Sequence, residues 1–499
     1  MSAAPSRLDS SAADLLAAAF DPAHFAALAP PVVERLVALL ADARATVPSL
    51  PVLPWVAPAE QLARWPLAPA AGTPDAADVL PAFDALLART LAGSTHLHDP
   101  GFVGHQVAPV LPLAALCELV ATLLNNGSAV YEMGPVSTVM ERRVLRWCAD
   151  TLGLPATAGG VLTSGGTLAT LTALLAARQA RAGWDTWERG AHDGPPLAIL
   201  VSAQAHYCAD RAVRIMGWGR DGVITVAVDD DYRMRPDALE RAYHDAVARG
   251  TRVVAVVGSG CTTATGSFDP LEAIADVCAT HGLWFHVDGA HGASFALSPR
   301  HRHLLAGIER ADSVIWDAHK MLLQPALVTA VLFRDERHAA AAFAQDASYL
   351  LADDPTDTWW DLASRTFECT KRMMSLKLFA TLTCYGPAML GEYVARSADL
   401  ATRFAGMLRE APDFELAVEP QCNIVVFRHV PSALADDPAA LDALQPRLRE
   451  RVVAEGRFYP VQVRLEGRTW LRTTLMNPFT TDAHLAALLD RLRAAAVAP

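Results

Sequence analysis

The sequence predicts an α/β protein whose larger part is a mainly parallel sheet covered by helices on both faces. Short apolar, β-branched runs at 197–201, 253–257, 283–287, 313–316 and 328–333 alternate with helical patterns, and that alternation implies parallel strands joined by crossover helices. Helix boundaries fall between the runs: Asp269-Pro270 opens one helix with an N-cap and a first-turn proline, and Gly282 closes it. His206, Thr262, Asp288 and Lys320 all lie just beyond the carboxyl ends of the runs, where such sheets bind ligands.

Length and composition set the frame for these elements. A chain of 499 residues, 52% of them hydrophobic, buries a large core and divides into two or three domains. The expected division is a helical and proline-rich arm over 1–95, a large domain over 96–384 and a small α+β domain over 385–499. A formal net charge of −12, with no basic tract, argues against nucleic acid and anionic membrane as partners. The start has no apolar run bounded by a cleavage site, and no later segment is expected to reach transmembrane length. Eight cysteines without CxxC spacing point to reduced thiols in a cytoplasmic protein, and sixteen histidines give no metal signature.

In chain order, amphipathic helices are expected around Ser11–Phe20 and Pro31–Ala45, and the proline-rich stretch Val47–Pro74 cannot be continuous helix. Leu111–Leu124 and Val136–Leu152 read as helices. In the second, Glu141 and Arg142 should be exposed and Val139, Val144, Leu145 and Trp147 buried. A glycine turn, Gly165-Gly166-Thr167, opens a long apolar helix to Arg178, and another helix covers Cys208–Met216. Residues 335–370 read as a mobile segment, with a helix from Phe367 through Leu378. Asn423–Phe427 and Thr469–Leu475 are the expected strands of the small domain.

The chemistry gathers at two strand ends. Ser313–Trp316 runs into Asp317-Ala318-His319-Lys320, which places a lysine between apolar Ile315, Trp316 and Met321, Leu322, Leu323. Burial would lower the pKa of that lysine and leave its amine nucleophilic, as Schiff-base chemistry requires. Leu283–Val287 ends in Asp288, and Gly289 and Ala290 would let a flat ring approach closely. Each piece has an ordinary reading: a strand-end lysine reaching water, an Asp-Gly turn, a glycine turn before a helix. Lysine and aspartate together on successive strands fit pyridoxal phosphate, lysine to the aldehyde and aspartate to the ring nitrogen. The glycine turn, with the Thr167 hydroxyl and a helix N-terminus, suits its phosphate.

With these motifs the chain resembles the group II pyridoxal-phosphate-dependent amino acid decarboxylases over roughly residues 95–490. The resemblance implies a fold type I, aspartate aminotransferase-like large domain, a dimer wrapped by the N-terminal arm, and decarboxylation of an L-amino acid. It implies that Lys320 binds the cofactor, Asp288 holds its ring nitrogen, and His206 stacks on its ring. Gly165, Gly166 and Thr167 match the phosphate cradle, Ala290 and His319 complete the cofactor set, and Thr262, with Thr263 as rival, matches the loop at the cofactor's phenolic edge. Gln106 and Arg472 match the substrate-binding positions, and Tyr349 is the candidate proton donor to Cα.

Three features depart from the pattern. Gly289 replaces an alanine after Asp288, and Asp317 stands where glutamate and aromatic decarboxylases tend to carry asparagine. With Gln324-Pro325 after the lysine, the run leans toward the diaminobutyrate and aspartate branches and so toward an acidic or diamino substrate. Trp360 occupies the place of the loop tyrosine of glutamate decarboxylases. The rival activities on the same fold are aldehyde formation and transamination. A silent, partner-binding homologue is disfavoured by the intact Lys320, Asp288 and His206 set.

Overall fold

Seven strands form the larger sheet of the computed structural model, which describes residues 10–67, 74–343, 359–368 and 370–497. They are β1 (Gly159–Thr163), β2 (Leu197–Ser202), β3 (Val223–Val226), β4 (Arg252–Ser259), β5 (Trp284–Asp288), β6 (Ser313–Asp317) and β7 (Thr329–Phe333), in the order β1-β7-β6-β5-β4-β2-β3. From β3 to β6 neighbouring strands are parallel, and β7 runs antiparallel to both β6 and β1. A four-stranded antiparallel sheet follows in the chain: β8 (Phe414–Leu416), β9 (Ile424–His429), β10 (Val461–Leu465) and β11 (Arg468–Thr474), in the order β10-β11-β9-β8. By compactness, one unit comprises Gly104–Gln445 and Val461–Pro478, so both sheets belong to it. The other draws on Met1–Val103, Pro446–Pro460 and Phe479–Pro499.

Apart from the edge strand β3, the large sheet is buried on both faces, because apolar residues occupy successive positions of its strands rather than alternate ones. Successive residues point to opposite sides. Trp316, Phe285 and Leu162 join the core that includes Val144 and Leu145 of the helix Pro135–Leu152. Ile315, Trp284 and Val161 join the core under Ala169, Ala173 and Ala177 of the helix Gly166–Arg181. The two layers fix β5 and β6 in register, with His286 opposite Ser313 and Asp288 opposite Ile315. Asp288 and Lys320 therefore leave the same edge of the sheet.

Several expectations change. The helix Pro135–Leu152 is turned so that Val139 is exposed and Glu141 is buried, because Glu141 has a buried partner in Lys371. Asp269 does not cap the helix Leu271–His281. Its carboxylate accepts from the N–H groups of Met234 and Ser259 at 2.6 and 2.7 Å, and Pro270 stands at the cap. The helix after residues 335–370 begins at Ser375 rather than Phe367. Strand β1 is hidden in the sequence by its glycines; a side chain on Gly160 would strike the Val331 carbonyl of β7. Glu240, His244 and His281 offer ligand atoms within 4.8 Å of one another, a grouping that the sequence hides by dividing it between two helices.

The second helix also differs. It spans Pro22–Asp42 through Pro30 and Pro31, started by Asp21, whose side chain accepts from the Ala23 N–H. By length and composition, with a mean hydropathy of 1.4, it qualifies as a membrane span, which corrects the expectation that none would. Its middle carries Glu34 and Arg35, and Arg35 pairs with Asp84 of the helix Ala76–Gly93 at 2.6 Å. Such charges are costly inside a bilayer.

Candidate active site

A cavity of about 310 Å³ opens at the carboxyl edge of the large sheet, and Lys320, Asp288, His206 and Asp317 line it. Strand β6 ends at Asp317, and the turn that follows carries Lys320 back, its N–H bonded to the Asp317 carbonyl at 3.2 Å. That turn brings the lysine Nζ to 3.0 Å from Asp317 Oδ2. Asp317 is buried, and its Oδ1 accepts from Thr329 Oγ1 of β7 at 2.5 Å. His319 Nδ1 lies 2.9 Å from the Val328 carbonyl, which turns Nε2 toward Asp317 Oδ2 at 3.6 Å.

Charge balance in the cavity differs from the expectation for an isolated buried lysine. Burial alone would pull the Lys320 ammonium down, but Asp317 and Asp288 outweigh it and leave its pKa raised. The paired carboxylate responds in kind: burial pushes Asp317 up, yet Lys320, His319 and the Thr329 hydroxyl hold it below its usual value. The expected lowering of the lysine pKa is thus reversed, because the sequence shows burial but not the two facing carboxylates. Asp288 remains raised by burial, with Lys320 and His206 opposing. His206 is lowered, chiefly by burial.

The other predicted residues divide. Gly165, Gly166, Thr167, His319, Ala290 and Gln106 all reach the cavity. Gly165 has φ +112°, in the left-handed region that favours glycine, and it starts the helix Gly166–Arg181. The buried Nε2 of Gln106 has no partner. Thr263, rather than Thr262, lines the cavity. Thr262 is buried in its own loop, its hydroxyl bonded to Thr265 at 2.7 Å and to the Ser267 N–H at 3.0 Å. Arg472 does not line the cavity. It is buried on β11, donates to Thr474 Oγ1 at 2.9 Å, and keeps an unpartnered Nε. Tyr349 lies outside the described residues.

Two residues that were not assigned a role also face the space. His291, three residues after Asp288, is buried, with Nε2 2.8 Å from Asn423 Oδ1 and Nδ1 unpartnered. Burial lowers it to about 3, so it is neutral. Cys261 lines the same cavity, with Sγ 3.7 Å from Cys422 Sγ. His291 was visible as a polar residue among small ones, whereas Cys261 carried no signal beyond its place after β4.

The residues present fit pyridoxal phosphate. The Gly165–Thr167 turn offers a helix N-terminus whose first two residues carry no side chain. Asp288 is a part-buried carboxylate whose Oδ1 accepts a single N–H, that of Ala290 at 3.1 Å, which leaves capacity for a protonated ring nitrogen. Ala290 and His206 both line the same space.

Comparison with known proteins agrees with this geometry. A family model described as the pyridoxal-dependent decarboxylase conserved domain matches residues 66–430. The chain is 34% identical over 405 residues to the cysteine sulfinic acid decarboxylase of Mus musculus, covering 79% of this chain and 81% of that one. It is 33% identical over 435 residues to the L-2,4-diaminobutyrate decarboxylase of Rhizobium meliloti (strain 1021), covering 84% of each. The crystal structure of mouse CSAD superposes with a TM-score of 0.88 at 30% identity, covering 95% of this chain and 99% of that one.

Proposed function

The chain belongs to the pyridoxal-dependent decarboxylase family and is a pyridoxal-phosphate-dependent amino acid decarboxylase; we propose that its substrate is an acidic or diamino L-amino acid, with aspartate, glutamate and 2,4-diaminobutyrate the leading candidates. The observation that carries the reading is the convergence of Lys320, Asp288 and His206 on one cavity beside the Gly165–Thr167 turn. The substrate class is supported by the relatives named above and by the Asp317-Ala318-His319-Lys320 run with Gln324-Pro325.

Bound pyridoxal phosphate supplies the electron sink that takes the pair released as carbon dioxide leaves. The protein's part is to choose and hold the bond that breaks. Lys320 would attach the cofactor's aldehyde, and Gly165, Gly166, Thr167 and His319 would hold its phosphate. The Asp288 carboxylate would keep the ring nitrogen protonated, and His206 would lie against the ring and limit its tilt. Gln106, with an unpartnered amide nitrogen at the cavity wall, would donate to a substrate carboxylate. Arg472 would reach the α-carboxylate only after a rearrangement of its side chain. Tyr349 remains our candidate for returning a proton to Cα, and Thr263 takes the place first given to Thr262.

We further propose that the enzyme is a cytoplasmic homodimer without a metal requirement. Support for dimerisation comes from the exposed apolar residues Leu116, Leu119, Leu123 and Leu124 grouped on the helix Pro112–Leu124, since exposed apolar groupings favour a protein partner. The arm over residues 1–95 is our proposed dimerisation element, with the small domain beginning near residue 385. Carbon dioxide release from purified protein loaded with cofactor, measured across a panel of acidic, diamino and aromatic amino acids, tests the substrate class. Turnover of aromatic substrates alone would overturn it.

A further inference from the structure

The lysine that must attack the cofactor's aldehyde is held in an ion pair. Lys320 Nζ lies 3.0 Å from Asp317 Oδ2, and Asp317 is buried at the end of β6. The carboxylate cannot swing away freely. Its other oxygen is held by the Thr329 hydroxyl at 2.5 Å, and Gly166 packs so closely that a side-chain carbon there would lie 3.2 Å from both oxygens. The neighbouring residue His319 adds a second contact at 3.6 Å.

We propose that Asp317 is a brake on cofactor attachment, a positioning residue whose fixed carboxylate keeps Lys320 as an ammonium in the ligand-free enzyme. The inference rests on the pyridoxal-phosphate reading of the site. Attachment needs the neutral amine. Its lone pair forms the C–N bond, the aldehyde oxygen leaves as water, and the proton given up by the ammonium passes to solvent. A carboxylate at hydrogen-bond distance favours the charged form of the lysine and lowers the fraction of neutral amine at neutral pH. Other ionisable groups around the pair are Asp288 on β5, His206 and Cys208 after β2, Cys261 after β4, and His291 and His319. Of these, Asp288 and, more weakly, Cys261 act in the same direction as Asp317, but among the described residues only Asp317 has a direct side-chain hydrogen bond to the lysine.

The test uses cofactor-stripped protein in wild-type and Asp317→Asn form, with pyridoxal phosphate added and attachment at Lys320 followed by visible absorbance. Borohydride reduction and mass analysis of the Lys320 peptide confirm the site. Asparagine keeps the Thr329 bond and removes the charge, so the variant should attach cofactor at least about tenfold faster near neutral pH, as loss of a close counter-charge makes the amine more available. The advantage should shrink as pH rises and the wild-type lysine loses its proton unaided. Pyridoxal, which lacks the phosphate, should show the same acceleration, because the effect resides at the amine. Equal or slower attachment by the variant overturns the brake, as does an acceleration confined to the phosphate ester. Asp317→Ser, which also removes the charge, serves if the asparagine form does not fold. A wild-type protein that never acquires cofactor at Lys320 would instead refute the cofactor reading itself.

Discussion

Glu141 and Lys371 form an ion pair that solvent does not reach, the lysine side chain fully buried and the glutamate almost so. Glu141 Oε1 also accepts the Leu162 N–H at 2.9 Å. A single carboxylate therefore ties the helix Pro135–Leu152 to the segment before Ser375 and to β1, the strand that leads into the Gly165–Thr167 turn. Burial pulls the lysine down and Glu141 opposes it, the net direction being downward.

Removing one partner of such a pair leaves the other charge stranded. Lys371→Met should cost on the order of 3–5 kcal/mol of folding stability, whereas Lys371→Met with Glu141→Gln should recover part of that loss. Denaturant unfolding of both variants checks it, and equal stability of the single variant and wild type would show the pair to be dispensable.

Lys320→Ala should lose both turnover and covalent attachment of cofactor while still folding, with some loss of stability because buried Asp317 loses its partner. Lys320 sits in a turn at the cavity rather than in a packed core layer. Retention of wild-type carbon dioxide release would remove the basis of the functional reading.

Asp288→Asn should still bind cofactor but lose activity by well over tenfold, since an amide cannot hold the ring nitrogen protonated. A tenfold loss is worth only about 1.4 kcal/mol of barrier, so a change that small argues against a role in stabilising the electron sink. Steady-state kinetics on cofactor-saturated variant decides the matter.

His286 on β5 makes stability depend on acid. The Trp284 indole can only donate, and it donates to Ser313 Oγ at 2.8 Å, so the Ser313 hydroxyl is available to His286 Nδ1, also at 2.8 Å. Burial holds this histidine neutral, its pKa lowered to about 4. Unfolded, it would titrate at about 6.5. Between those values the unfolded chain binds the extra proton, so stability is full above the higher one and falls as pH drops toward the lower, by roughly 3 kcal/mol for this residue. His286→Asn should flatten the decline of unfolding free energy over that interval. Parallel profiles for the two proteins would count against the assignment.

Legibility in the sequence followed burial and failed where a partner lay elsewhere in the chain. Lys320 and Asp288 were readable because each ends an apolar run too short for a helix, and a parallel sheet puts such ends on one edge. The state of Lys320 was not readable, since it depends on Asp288 from the next strand and on a turn that folds the lysine back onto Asp317. Glu141 looked like an exposed helix charge because its buried partner lies across the fold. Thr262 and Thr263 are adjacent, and only the course of the loop decides which of them faces the cavity. Where charge or hydrogen bonding is set by tertiary neighbours, local pattern has nothing to report.

The fate of Cα after carbon dioxide leaves depends on a proton donor, and the chain has an unusual choice. Counted back from Cys369-Thr370-Lys371-Arg372, Trp360 falls where the resemblance to glutamate decarboxylases leads us to expect a tyrosine, and indole has no proton of suitable acidity to give. Trp360 is half-exposed and meets Trp359 edge to face with ring centres 5.7 Å apart, and Arg142 covers Trp359 in turn. That arrangement leaves Trp360 a packing role. Tyr349 is the one tyrosine of the segment between β7 and Ser375, and so the candidate for general acid. Tyr349→Phe should therefore slow amine formation and raise the share of aldehyde and hydrogen peroxide, measured together from one substrate under air. A variant that makes only amine at the wild-type rate would exclude Tyr349 and leave a histidine or water as donor. Aldehyde as the main product of the wild type would instead move the enzyme to the oxidative branch of the same chemistry.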